Sequence, residues 1–260
     1  MIYVIYLLVV FFATCIGAVT GVGGGAIIKP IFDRLGYDSA VIIGAYSSIA
    51  VFTMCLSSLV RQLRIKPTVD STVLVGLSLG SVCGGFFGEQ LFHQMTNSVP
   101  NETVKAWQAG LLILVLLFTT GYHIKKESLP TYRVKNAWLI IFLGLAIGML
   151  SIFLGIGGGP LNIAVLVILF SYTVKEAAMY SLAMIFFAQL PKIALIVWKW
   201  QSYGVSLGFV SMLIIAAIAG GLIGTWGHRR LTDKQVNVLF LALTMAIIGI
   251  SVMNLVTNLI

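Results

Sequence analysis

The chain has 260 residues, of which 59% are hydrophobic and only 9% are charged. Its mean hydropathy is +1.05, which excludes the ordinary soluble classes and predicts a polytopic membrane protein. Lys and Arg number 16 against 8 Asp and Glu, a formal charge of +8; in short loops between apolar runs, that excess predicts cytoplasmic loops near anionic lipid rather than a nucleic-acid partner.

In chain order, apolar runs of membrane length are expected at about 3–20, 39–60, 70–90 and 104–123. A second series follows at about 137–154, 175–198, 203–225 and 234–256. The first run has no basic residue ahead of it and its apolar character continues past Gly25, so it reads as a retained segment rather than a leader. Two shorter apolar stretches, 26–36 and 160–171, are each roughly 17 Å long as helix, about half a bilayer. Each directly follows a glycine run, Gly21–Gly25 (GVGGG) or Gly155–Gly159 (GIGGG).

These landmarks repeat. A shift of 134 residues lays Gly21, Gly23, Gly24 and Gly25 on Gly155, Gly157, Gly158 and Gly159, Tyr46 on Tyr180 and Ser47 on Ser181. With two residues of drift, Gly84, Gly85 and Gly88 meet Gly220, Gly221 and Gly224, and Gly121 and Gly249 stand late in the last run of each half. The predicted organisation is a first repeat over 1–124, a basic linker over 125–136 and a second repeat over 137–260. Counting both short stretches as crossings sorts the cations: Arg61, Arg64, Lys66, Lys125, Lys126, Arg133, Lys135, Lys175, Arg229, Arg230 and Lys234 share one side. Only Lys29, Arg34, Lys105, Lys192 and Lys199 remain for the other. This gives ten segments, five per half, and hence an all-α inverted repeat with both termini outside the plasma membrane.

Glycine permits positive φ and close approach of a ligand to backbone. Short helices starting at Ala26 and Pro160 would aim unpaired N–H groups and partial positive charge at the membrane interior, an arrangement suited to an anion. The alternative is plain helix packing through glycine, which is the preferred reading for Gly84, Gly85, Gly88, Gly220, Gly221 and Gly224. Candidate binding residues are therefore the two glycine runs with Ala26, joined by Ser47, Ser181, Tyr46, Tyr180, Asn162 and Gln189. Thr20 and Ser48 are weaker members. Lys192, after Pro191, either balances a bound anion or snorkels to the surface, and the same two readings hold for Lys29. Tyr46 and Tyr180 either donate to substrate or pack against the bundle.

The carboxylates Asp70, Glu89, Glu102, Glu127, Glu176 and Asp233 are expected at segment ends or loops, with Asp33 and Asp38 flanking the first half-helix. This weighs against a carboxylate proton relay. His93, His123 and His228 are isolated, and Cys15, Cys55 and Cys83 lack ligand spacing, so no metal, cofactor or nucleophilic triad is expected. The run GVGGGA fits a dinucleotide fingerprint only as letters, because a membrane-length segment precedes it. No nucleotide-binding glycine–lysine motif occurs.

The paired GVGGGAIIKP and GIGGGPLNIAVL, each followed by a Tyr-Ser step and a late GGxxG element, resemble the TauE/SafE family of sulfite and organosulfur-anion exporters. The resemblance covers nearly the whole chain. It departs in the second motif, where Pro160 stands early and Ala164 replaces the usual proline, and at Tyr46 and Tyr180, where the family has threonine. It implies export of a small sulfur-containing anion by alternating access, with no enzyme activity. An anion pore and a non-transporting scaffold subunit stay open as alternatives, and a homo-oligomer is allowed but not required.

Overall fold

The computed structural model describes residues 2–63, 70–125 and 132–259. Arg64, Lys66 and the half of the expected linker over 126–131, Lys126 included, lie outside the described residues. Among the described residues every regular element is helical: α1 (Ile2–Thr20), α2 (Gly25–Leu35), α3 (Ala40–Leu63), α4 (Ser71–Ser98), α5 (Asn101–Lys125), α6 (Ala137–Phe153), α7 (Gly159–Phe170), α8 (Val174–Trp198), α9 (Trp200–Tyr203), α10 (Leu207–Arg230) and α11 (Asp233–Leu259). Among the described residues seven helices are long and apolar enough to cross a membrane, while α6 and α7 are shorter apolar helices. The chain is an all-α polytopic membrane protein.

Helix starts follow local chemistry. Asp70 caps α4 by accepting from the Thr72 and Val73 N–H groups, Asn136 caps α6 in the same way, and Thr173 with Glu176 forms a capping box on α8. The boundaries differ from expectation in two places. α4 runs on to Ser98, because the first strong stop is Val99-Pro100. α10 begins only at Leu207, because the single turn α9 ends at Gly204 with φ 61° and re-aims the chain.

Helix pairing obeys the repeat. α4 packs most extensively on α6, and its counterpart α10 packs on α1; α4 with α8 matches α10 with α3, and α5 pairs with α11. The late glycines make these contacts close. Gly84 and Gly88 lie on the Leu145 and Met149 carbonyls of α6, while Gly220 and Gly224 lie on Phe11, Thr14 and Cys15 of α1. Gly85 meets Ala188 of α8, and Gly221 meets Met54 and Ser57 of α3. All six therefore serve packing, as read from their spacing.

The two ends of the bundle are defined by contacts between loops. At one end the Tyr6 hydroxyl donates to Asp38, the Ala40 N–H donates to Asn101 and Arg34 donates to Thr257. At the other, the Asp70 N–H donates to Tyr180, Tyr132 to the Ile168 carbonyl and Lys175 to the Leu231 carbonyl. α1 begins at the first end and α6 at the second, so the halves run in opposite senses. The first turn of α1 and the last turn of α11 share one end. Outward faces carry Leu8, Phe12, Leu79, Leu114 and Ile215, an apolar surface suited to lipid, and Trp138 and Trp198 project 82% and 88% exposed near helix ends, where indole rings anchor at the interface.

Candidate functional site

α1 climbs almost the full height of the bundle, since the Val19 carbonyl reaches His228 near the end of α10. The first glycine loop then brings the chain back to the interior, and α2 completes the return, stacking Phe32 on Tyr6 with ring centroids 3.9 Å apart. Loop and half-helix together thus make one crossing; α6 and α7 repeat the path from the opposite end.

The loops need glycine for two reasons. Gly21, Gly23, Gly155, Gly157 and Gly158 have φ between 67° and 76°, a left-handed conformation that L side chains rarely adopt. The loops also touch. A methyl group at Gly25 would sit 2.6 Å from the Ile156 carbonyl oxygen, and one at Gly159 would strike the Val22 carbonyl. Val22 is the repeat mate of Ile156 as Gly25 is of Gly159, so the two loops clasp each other reciprocally. Gly23 and Gly157 both face Ile185 of α8, and Gly25 and Gly157 both face Val51 of α3, its mate. One mismatch breaks the symmetry: Gly24 has φ −64° where Gly158 has 76°.

Serines lock this crossover across the repeats. Ser47 of α3 donates to the Gly155 carbonyl at 3.2 Å, and Ser181 of α8 donates to the Gly21 carbonyl at 2.7 Å. Asn162, in the first turn of α7, donates to the Ser181 hydroxyl at 3.3 Å. Neither Gly24 nor Gly158 supplies a side-chain cap, so the positive ends of α2 and α7 meet in the interior without a side-chain acceptor from their own cap residues. Around them, Asn162 Oδ1, Gln189 Oε1 and Ser48 Oγ are buried without a hydrogen-bond partner. The Gln189 amide lies 3.8 Å from the position a methyl would take on Gly157. Buried unpaired polar atoms are rare, and several around one backbone feature mark a place where water or a ligand is to be expected. Ala26 is fully buried in the first turn of α2, while the Thr20 hydroxyl is turned back to the Ile16 carbonyl.

Both candidate lysines are buried, and both carry a carboxylate partner. Lys29 pairs with Asp33 at 2.7 Å, one turn along α2. Its stem lies against Gly155, linking it to the second loop. Below it a polar cavity of about 390 Å³ opens at the end of the bundle that holds Asp38, lined by Asp33, Arg34, Asp38, Asn101, Glu102 and Lys105. Asp33 also lines a recess of about 10 Å³ with Lys29, Gln108, Ser251 and Asn254, room for about one water. These groups form a polar line from that end to the crossover. Gln108 and Asn254 brace it, donating to the Phe153 and Pro30 carbonyls.

Lys192 pairs with Glu89 at 2.9 Å, and both side chains are buried. The expectation that no carboxylate lies deep in a segment is therefore corrected. Glu89 lies roughly 14 Å inside the end of α4. Gly85 brings α4 against Ala188, and one turn later the same faces place Glu89 against Lys192.

The tyrosines stand apart from the crossover. The Tyr180 hydroxyl accepts from the Asp70 N–H at 2.8 Å, and its ring stacks on Tyr172 at 4.7 Å. Tyr46 packs edge-on to Phe209 at 5.1 Å in a different apolar cluster. The structure thus gathers the glycine runs, Ala26, Ser47, Ser181, Asn162 and Gln189, places Lys29 and Lys192 at its margins and leaves the tyrosine hydroxyls elsewhere. Sequence reasoning missed Glu89, Val51, Ile185, Gln108 and Asn254.

Residues 6–252 match the sulfite exporter TauE/SafE family model. The chain is 24% identical over 244 residues to a "Probable membrane transporter protein" of Methanocaldococcus jannaschii, covering 90% of this chain and 89% of the relative. It is 25% identical over 278 residues to "Probable membrane transporter protein YunE" of Bacillus subtilis, covering 95% and 96%. No solved structure gives a significant match. With a family match spanning both glycine loops and nearly all of the helices, the chain belongs to the TauE/SafE family of membrane transporters.

Proposed function

We propose that this transporter exports a small sulfur-containing anion, of the sulfite or sulfonate class, across the plasma membrane by alternating access and without enzyme activity. The observation that carries this reading is the crossover: two half-helix N-termini, entering from opposite ends, meet where their caps supply no side-chain acceptor. An oxyanion there accepts from backbone N–H groups. Ser47 and Ser181 hold the loops rather than the anion, and the amides of Asn162 and Gln189, either end of which can be turned inward, add contacts. In the clasped arrangement the loops close on each other; rocking one repeat against the other opens the site to each side in turn.

The end carrying Arg61, Arg133, Lys135, Lys175, Arg229, Arg230 and Lys234 is proposed to face the cytoplasm, which puts both chain ends outside. The repeats are proposed as residues 1–124 and 137–260. A potential negative inside favours anion export by about 2.3 kcal/mol per charge at 100 mV.

Counterflow in proteoliposomes tests the reading. Vesicles loaded with sulfite or sulfoacetate receive the labelled anion outside, with sulfate and chloride for comparison. Saturable, self-accelerated uptake is expected, lost in Gly158→Ala and weakened in the sterically milder Gly24→Ala. Linear, unsaturable flux would indicate a pore, and no flux from folded protein would remove the transport of these anions.

A further inference from the structure

The buried Lys192–Glu89 pair has a third member. His93 Nε2, one turn along α4, lies 3.3 Å from Glu89 Oε1, and its side chain is 33% exposed where those of Glu89 and Lys192 are 5% and 2%. The imidazole therefore connects a sealed carboxylate to the exterior. Lys192 Nζ also lies 4.7 Å from the centre of the Phe92 ring and 3.4 Å from the methyl position at Gly44 of α3. Gly44 is one turn before Ser47, which holds the second glycine loop. On α8 itself, Lys192 is three residues beyond Gln189, roughly 4.5 Å along the axis from the residue nearest Gly157. The ion pair thus stands one helical turn from the crossover on both α3 and α8.

From α9, Tyr203 presents a buried hydroxyl without a partner, pushed up to about 12 by burial first and by the Glu89 charge second, so it remains a neutral donor. α6 presents Met149 at Gly88, one residue before Glu89, and Phe153 beside Phe92; α5 presents Val104 beside Phe92. Breaking a buried pair by removing one partner's charge leaves the other charge seeking compensation in low dielectric.

We propose that Glu89, Lys192 and His93 form a proton-loading site that binds a proton together with the transported anion, an inference that rests on the transport reading above. A proton passes between water at the Asp38–Asn101 end and Glu89 Oε1 through the His93 imidazole, one ring nitrogen taking up a proton as the other gives one to the carboxylate; it enters there during uptake and leaves there during export. Glu89 becomes neutral, and the pair changes from net zero to +1. The Lys192 ammonium is then uncompensated one turn from the crossover, and the incoming anion supplies the missing negative charge. Anion occupancy in turn competes with Glu89 for Lys192 and raises the proton affinity of the carboxylate, as linkage requires. Proton and anion load and leave together. For a dianion the moving charge falls from −2 to −1, which still favours exit from a negative interior.

The test reads protons directly. Proteoliposomes enclosing a pH-sensitive dye, with the potential clamped by potassium and valinomycin, receive sulfoacetate or sulfite outside; protein-free vesicles provide the correction for leak. The expected result is lumenal acidification in step with anion uptake, with half-saturation falling by about tenfold per pH unit of acidification while Glu89 is mostly ionised. Glu89→Gln is expected to keep counterflow with a lower half-saturation and to lose both proton movement and pH dependence. His93→Gln should slow proton-coupled net uptake while sparing counterflow at symmetric pH. If Glu89→Gln does not fold, Glu89→Gln/Lys192→Gln, a neutral hydrogen-bonding pair, takes its place and must likewise move no protons. Wild-type net anion uptake without acidification, or acidification that survives loss of the Glu89 charge, overturns this proposal and leaves transport standing. Absence of counterflow overturns both.

Discussion

Gly25→Ala tests the clasp between the loops by steric means alone. The added methyl would lie 2.6 Å from the Ile156 oxygen and 3.1 Å from Val51 Cγ2, where a carbon–oxygen contact needs roughly 3.3 Å. The loops must part by about 0.7 Å, and both contacts are with groups held by neighbours, since Ile156 is backbone and Val51 is fully buried. Overpacking of this kind costs about 1–3 kcal/mol. The gain in helix propensity, at most about 1 kcal/mol, does not offset it. For a chain of this size the apparent melting temperature should fall by roughly 2–8 °C. Gly159→Ala, which meets the Val22 carbonyl more closely, should fall further. Gly249→Ala is the control: nothing lies within 4 Å of its added methyl, and α11 should gain up to about 1 kcal/mol. Thermal unfolding of the purified proteins in one detergent orders the three. The reasoning fails if Gly25→Ala and Gly159→Ala melt with or above the wild type, or if Gly249→Ala is the least stable.

The serines that hold the loops should each contribute about 1 kcal/mol, so Ser47→Ala and Ser181→Ala should melt a few degrees lower, Ser181→Ala the more so because its hydroxyl also accepts from Asn162; equal melting with the wild type would discount both bonds. Lys192→Gln alone leaves Glu89 buried and uncompensated, at a cost of about 3–5 kcal/mol, and Glu89→Gln/Lys192→Gln should recover much of it. Additive losses in that cycle would show that the two groups do not interact. Tyr37 and Tyr132 are exposed at opposite ends of the bundle, 70% and 54%, so an impermeant thiol reagent added to intact cells should modify Tyr37→Cys and spare Tyr132→Cys; the reverse pattern would invert the proposed orientation.

Much of this architecture is legible in the sequence because its signals are local. Runs of apolar residues bounded by Asp70, Asn136 and Thr173 mark helices, and glycine doublets mark the loops and close packing wherever they recur. The reciprocal placing of Val22 on Gly159 and Ile156 on Gly25 is not local. It depends on how the two hairpins dock, although the repeat itself already paired these positions. Glu89 was misplaced because apolar length set the expected end of its segment near residue 90, and the helix ran on to Ser98. Its partner Lys192 is remote in sequence; the usable signal is the helical phase that carries Gly85 to Glu89 and Ala188 to Lys192. The tyrosines misled for the opposite reason. They repeat faithfully, but Tyr180 and Ser181 are consecutive in α8 and so point about 100° apart: Ser181 faces a loop, while Tyr180 meets Tyr172 and Asp70.

The central claim is that an oxyanion is held where the two glycine loops meet. A crystal structure of the protein grown with selenite, an oxyanion analogue of sulfite whose selenium is located by anomalous scattering, tests it most directly. One anomalous peak is expected within hydrogen-bonding distance of first-turn N–H groups of α2 and α7, with Gln189 or Asn162 turned toward it. A peak only in the outer cavity beside Arg34 and Lys105, or none at the loops in protein that shows counterflow, would contradict it.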